Sequence, residues 1–303
     1  MRLKPILINK TLPLVVLSLL VANCSAEKQK QLNSSEYKLL LNADKFDDPL
    51  IGFKNYWEIV KTVAKNNDIS VLEKTKPLTL KHKEVSFFDT EKLELRKAGF
   101  LIRQKVKYKN GLKQPGFEYG VKYRQTDPAG ALAVDLVLHD GYTPKDETIE
   151  LESDIVYFSR NGESSETTYS ISNSILLDTA PEMVLGSFAD IYPALGKLGI
   201  PKTTPLIKAA GVSADEWMVA PGKLDFGDGL FGRVDMSVWI IPTENGELRI
   251  SEFSFDHPFL DGKKYAKDAM TRCTDFMVKL QEFEPDWVIS GALKAAFLFE
   301  QNN

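Results

Sequence analysis

The stretch Phe100-Leu101-Ile102-Arg103-Gln104-Lys105-Val106-Lys107-Tyr108 alternates in character. Side chains two apart on a strand face the same way, so Arg103, Lys105 and Lys107 share one face. Outward from it, Asn110-Gly111 is a turn signal. Val121-Lys122-Tyr123-Arg124 then puts Lys122 and Arg124 on one face. In Thr148-Ile149-Glu150-Leu151-Glu152 the two glutamates oppose Ile149 and Leu151. Arg233, Asp235 and Ser237 oppose Val234, Met236 and Val238, and Glu252, Ser254 and Asp256 share a face.

Taken singly, each charged face reads as the solvated side of a sheet. Taken together, the charges segregate by sign: two early strands are cationic and two later ones largely anionic. If these faces turn into one barrel, they form a lumen with a basic part and an acidic part. Lys and Arg there would grip a polyanion. Its carboxylates would suit a hard divalent cation, since Mg²⁺ takes oxygen ligands and bridges carboxylates to phosphates.

The rest of the chain supplies an α+β frame. Strand-like runs cover 36–42, 78–88, 131–138, 147–158, 229–241 and 248–255, the last pair joined at Asn245-Gly246. Apolar periodicity predicts a helix over 48–65. Residues 171–219 read as a helical insertion broken by Pro181, Pro193, Pro201 and Pro205. Helical stretches over 265–283 and 287–299 end the chain.

Phe87-Phe88-Asp89-Thr90 followed by Leu93-Glu94-Leu95-Arg96-Lys97-Ala98-Gly99-Phe100-Leu101-Ile102-Arg103 resembles the "YDT…L…G…LR" signature of the CYTH domain, or triphosphate tunnel metalloenzymes. Val121-Lys122-Tyr123-Arg124 is similar to that family's "TLK" strand, Glu150-x-Glu152 to its "RxExE" strand, and Ile250-Ser251-Glu252-Phe253-Ser254 to its late "ExE" strand. The resemblance runs over about 36–285, in the family's order. It implies an antiparallel β-tunnel or barrel of about eight strands with flanking helices, here a single domain over 36–303. It implies phosphate grips at Arg103, Lys105, Lys122, Arg124 and Arg233. Glu150, Glu152 and Glu252 would be the catalytic carboxylates and ligands of Mg²⁺ or Mn²⁺, in a phosphohydrolase acting on a triphosphate-like substrate. The chain departs from the family's first-strand "ExExK", offering only Glu36-Tyr37-Lys38; Thr148 replaces the Arg of "RxExE", and Ser254 the second Glu of the late pair.

The N-terminus carries Arg2, Lys4 and Lys10, then an apolar run over 11–22, then Asn23-Cys24-Ser25-Ala26. That is the order of a signal peptide, and the run is too short for a permanent span. The expectation is a leader over 1–24, a polar tether over 25–35, and export to the cell envelope. Cleavage before Cys24, which would then be lipidated and tie the protein to a membrane, and cleavage after Ala26, giving a soluble periplasmic or secreted form, both stand. A net charge of -4 argues against a general nucleic-acid binder. With two cysteines there is no disulfide framework, and no Cys-His cluster or Gly-rich phosphate loop occurs. The main expectation is an envelope binder, with metal-dependent hydrolysis as its enzymatic form, of a phosphorylated or polyanionic small molecule. The alternative is a non-catalytic envelope lipoprotein whose barrel is a scaffold for a protein or glycan partner; it requires the cationic faces to point to bulk solvent around an apolar interior.

Overall fold

The computed structural model describes residues 32–145, 149–157, 165–259 and 265–289, with Lys294 and Phe299. The leader, Cys24 and Thr148 lie outside the described residues. Nine strands close into a barrel: β1 (Ser34–Leu41), β2 (Lys81–Asp89), β3 (Phe100–Lys109), β4 (Phe117–Gln125), β5 (Glu150–Tyr157), β6 (Ser165–Leu177), β7 (Ala214–Val219), β8 (Phe231–Thr243) and β9 (Gly246–Pro258). Their order around the wall is β7-β2-β3-β4-β6-β5-β1-β9-β8, and β8 returns to β7. Every pair is antiparallel except β1–β5. The expected tunnel therefore forms, with one more strand than counted and a mixed rather than purely antiparallel sheet. The parallel pair is possible because β2 to β4 intervene in the chain, giving the long crossover such a pair needs. Ser34 and Ser35, read as tether, belong to β1.

The alternation decides which side of the wall is apolar. Leu39 and Leu41 of β1, Met236 and Val238 of β8, and Phe253 and Phe255 of β9 all face outward into one buried cluster. Helix α1 (Pro49–Asn66) covers them with Phe53, Tyr56, Trp57, Val60 and Val63, the spacing of one helical face. Asp48 starts α1 by accepting from Leu50 N at 2.9 Å and Ile51 N at 3.1 Å, with Pro49 next. On the opposite side, Ile102, Tyr119, Val121, Ile171 and Ile175 pack beneath α2 (Leu185–Ile191). The C-terminal helix α3 (Lys267–Phe283) joins the first cluster through Cys273, Phe276, Met277 and Leu280. Each such side chain stabilises the fold by about 1.5–3 kcal/mol on full burial. The core thus lies outside the barrel, between wall and helices. The inward residues Leu40, Val85, Phe87, Trp239, Ile241 and Ile250 form a third cluster with Phe299, filling one end of the lumen.

Two expectations are corrected. Residues 131–138 form no strand: Asp127 caps a short helix, Pro128–Leu132, through Gly130 N at 2.8 Å, and turns the chain before the apolar run can extend. The helical insertion is shorter than 171–219, because both of its ends are barrel strands, β6 and β7; the helical part is α2 and Pro193–Gly196. Of the last expected helix, over 287–299, Lys294 and Phe299 are helical; Trp287 ends a 3₁₀ turn, Pro285–Trp287, and the other residues beyond 289 lie outside the described ones. Among the described residues no helix is long and apolar enough to cross a membrane. The turn signals hold: Asn110 and Gly111 adopt φ of 52° and 77°, the left-handed pair of a tight hairpin.

Candidate functional site

The inward faces enclose a cavity of about 330 Å³. Arg103, Lys105, Lys122, Arg124, Glu150, Glu152 and Glu252 all line it. Arg233 does not: it sits on the same face of β8 but at the rim, 58% exposed, and its guanidinium donates to Asp256. Glu36, Lys38, Lys83, Glu216, Asp235 and Lys294 complete the charged lining.

One part of the wall is a closed ion network. Asp154, at the floor between β1 and β4, is fully buried. It accepts from Lys38 Nζ at 2.6 Å, Arg124 Nη2 at 3.0 Å and Ser170 Oγ at 3.2 Å, and Lys122 Nζ lies 3.5 Å away. Burial pushes its pKa up, but the three cations win and hold it well below the usual carboxylate range. Lys122 also donates to Glu152 at 2.9 Å, which is the main reason Glu152 stays ionised. Lys38 reaches Glu36 at 2.7 Å. Glu36 nevertheless titrates above the ordinary value: burial dominates, and Glu152, Asp154 and Glu252 add repulsion.

The part built on β2 and β3 is different. Arg103 has no carboxylate within ion-pair distance among the described residues. Lys105 pairs with Glu118 at 3.3 Å, yet its pKa falls to about 7, first through the Arg103 charge and then through burial. Lys83 reaches Glu216 only at 3.7 Å. Glu216 is drawn down to about 2: burial opposes ionisation, but Lys294 and Lys83 outweigh it. Lys294 sits over the Trp239 ring and donates to Ser237 Oγ at 2.6 Å.

Carboxylate oxygens of Glu36, Glu152 and Asp154 lie within 4.8 Å of one another. By donor chemistry this trio fits a hard divalent cation, and the raised pKa of Glu36 marks negative charge that a cation would relieve. Only Glu152 belongs to the set expected from sequence. Glu150 lines the cavity with Ser172 Oγ donating to it at 3.4 Å. Glu252 lies 3.4 Å from Lys294. Asp154 had a signal, since it continues the alternation of Glu150 and Glu152; Glu216 was hidden in the stretch read as helical.

The Asp-Thr motif plays a local part. Asp89 Oδ1 accepts from Thr90 N at 2.7 Å and Leu95 N at 2.9 Å, and Oδ2 from Arg96 N at 2.9 Å. Thr90 Oγ1 accepts from Glu94 N at 3.0 Å. The motif therefore builds the turn from β2 to β3, which aims the Arg103 row inward.

No protein-family model matches the chain, and no curated protein matches it. Among solved structures it is similar to a candidate adenylyl cyclase from Hippeastrum with a dominant triphosphatase activity, at TM-score 0.44 and 12% identity over 90% of this chain and 97% of that one. It is also similar to a candidate adenylate cyclase from Bacillus halodurans, at TM-score 0.36 and 12% identity over 86% and 95%. A protein from Pyrococcus horikoshii gives TM-score 0.36 and 11% identity over 89% and 98%. Likeness this distant carries no functional argument.

Proposed function

We propose that this protein binds a phosphorylated or otherwise polyanionic small molecule inside its barrel. The observation that carries the reading is Arg103: a guanidinium turned into a lumen, without a carboxylate partner among the described residues, beside a lysine whose charge it already suppresses. A part-buried, uncompensated cation is costly. A bound anion removes the cost by taking charge-assisted hydrogen bonds from Arg103 and Lys105.

Hydrolysis is the finer form of the same proposal. Glu36, Glu152 and Asp154 would hold Mg²⁺ or Mn²⁺, which supplies charge neutralisation at phosphoryl oxygens and a water of lowered pKa. Arg103 and Lys105 would position the phosphoryl chain, with Lys122 and Arg124 holding the carboxylates in place. Acceleration would come from positioning and charge stabilisation rather than a covalent intermediate. The scaffold alternative loses its support, because the cationic faces point into the lumen rather than to bulk solvent. Location in the cell envelope is a separate proposal, supported by the basic, apolar and small-residue order before Cys24; intact mass of the purified N-terminus tests lipidation against cleavage after Ala26.

Calorimetric titration of the purified protein with tripolyphosphate, with and without Mn²⁺, tests the binding claim. One site is expected, weakened at least about tenfold in Arg103→Ala. Phosphate release by wild type and its loss in Glu152→Gln would support hydrolysis. No heat and no thermal shift with tripolyphosphate would remove both claims.

A further inference from the structure

The tip of one hairpin stands clear of the barrel wall. β4 pairs with β3 only as far as Lys105, opposite Glu118, and β2 only as far as Tyr108, opposite His82. Beyond that point the partner of β3 is its own return strand, Leu112–Lys113, turned at Asn110-Gly111. The stretch Lys107-Tyr108-Lys109-Asn110-Gly111-Leu112-Lys113 holds three lysines and no acid, in a chain of net charge -4. All three lysines are exposed, and none has an ion-pair partner among the described residues. Of the carboxylates on neighbouring strands, Glu84 is met by Tyr108 and Asp215 by His82. Leu112 is 71% exposed, the most exposed large apolar side chain among the described residues, and the exposed Leu176 of β6 lies beside Gly116 at the foot of the hairpin. This is the open end of the barrel, since Leu40, Phe87 and Ile250 fill the other. β1 also starts at the open end, where Ser34 lies opposite Pro258 and Glu152.

We infer that this hairpin docks the protein on an anionic lipid surface, with Leu112 entering the acyl boundary and Lys107, Lys109 and Lys113 meeting headgroup phosphates. A lone exposed leucine is ordinary; this one stands on a projecting tip among uncompensated cations. A lipid surface satisfies both at once, through apolar burial and attraction to anionic headgroups. Where the chain enters β1 agrees with that orientation. A lipid on Cys24, as proposed above, would act through a connection of at most about 30 Å that joins the barrel at its open end. The hairpin docks with or without that lipid, and whatever the lumen binds. Contact by this one edge leaves the rim at Arg233, three strands round the wall, clear for entry.

The test places a reporter on the tip of the full chain. Leu112→Trp is titrated with vesicles of phosphatidylcholine, alone or with about 30% phosphatidylglycerol, whose acyl chains carry bromine as a quencher. Wild type gives the background of the four native tryptophans, so the excess quenching reads the tip and nothing else in the chain. Excess quenching is expected on anionic vesicles, at least about tenfold less lipid being needed than on neutral ones. It should fade at high salt and fall by at least about tenfold in affinity when Lys109→Gln/Lys113→Gln is added. A thermal midpoint shared by all the variants would show the fold intact. No excess quenching, or quenching equal on both vesicles and indifferent to the lysine substitutions, would overturn the inference. So would a concentration-dependent dimer abolished by Leu112→Ser, which would assign the tip to a second copy of the chain.

Discussion

On the wall made by β1, β4 and β5, Asp154 lies between Lys38 at 2.6 Å and Arg124 at 3.0 Å, and Lys122 links it to Glu152. On the adjoining wall, β2 and β3, Arg103 points inward without such a partner and Lys105 is driven toward neutrality beside it. The two walls use the same residue types in opposite ways. The first satisfies its charges internally and therefore holds shape. The second pairs its lysines more loosely, Lys105 with Glu118 at 3.3 Å and Lys83 with Glu216 at 3.7 Å, and holds the Arg103 guanidinium in no ion pair among the described residues; that is the place the proposed anion would take. A lumen with both walls balanced would have no reason to bind; one with neither balanced would not stay closed.

The largest expected effect comes from breaking the balanced wall. Asp154→Ala strands Lys38, Lys122 and Arg124 without their common carboxylate, and removing one partner from a buried ion group costs about 3–5 kcal/mol. Urea denaturation should show a loss of that size, or no folded protein at all. A loss below about 1 kcal/mol would mean the network is solvated and the contrast between the walls is false.

The unbalanced wall was the more legible of the two in sequence. Its row, Arg103-x-Lys105, is read directly from period-two alternation, and the Asp89-Thr90 turn that starts it is a recognisable motif. The balanced wall was not, because its pairs join strands that are not sequence neighbours: Lys38 to Asp154, 116 positions apart on the parallel β1–β5 pair, and Arg124 to Asp154 and Lys122 to Glu152, each 30 apart. Alternation says which residues share a face but not which strands become neighbours. Ala214–Val219, which closes the barrel, comes after a proline-broken helical stretch and reads as its continuation; only its two flanking strands fix it as β7. The 131–138 run failed for the opposite reason, as local capping by Asp127 overrode an apolar pattern.

Lys105 sharpens the comparison through pH. In the folded protein it loses its proton near pH 7, against about 10.4 for an ordinary lysine. Between those values the unfolded chain holds the extra proton, so this group makes stability rise with pH across that window. A bound anion restores the proton, so Lys105's contribution to affinity falls as pH climbs through 7. Titrations at pH 6 and pH 9, repeated in buffers of different ionisation enthalpy, should show proton uptake near pH 7 or above, absent from Lys105→Met. A pH response identical in wild type and Lys105→Met would assign it to the ligand alone.

Glu36 belongs to the balanced wall but is its strained member. Its carboxyl titrates above the ordinary value, so the stability it contributes is complete at low pH and is lost as pH rises through the folded pKa. Glu36→Gln removes that loss. Its stability at pH 7 should equal or exceed that of wild type, while any Mn²⁺-induced thermal shift should shrink. A destabilised variant that keeps the full Mn²⁺ shift would place the cation elsewhere and make Glu36 an ordinary partner of Lys38.

The smallest effect is expected at Arg233, the one cation from the sequence pattern that stands on neither wall. It is 58% exposed at the rim, and its guanidinium is held by Asp256. Exposed ion pairs contribute about 0–1 kcal/mol, and a charge already matched at the rim adds little field inside. Arg233→Ala should therefore change tripolyphosphate affinity by less than about threefold, far below the effect of Arg103→Ala. If the two losses were equal, position relative to the lumen would not be what separates a gripping cation from a structural one, because Arg103 and Arg233 differ in that respect above all: both extend from inward-facing strand positions, and only one lacks a carboxylate to hold it.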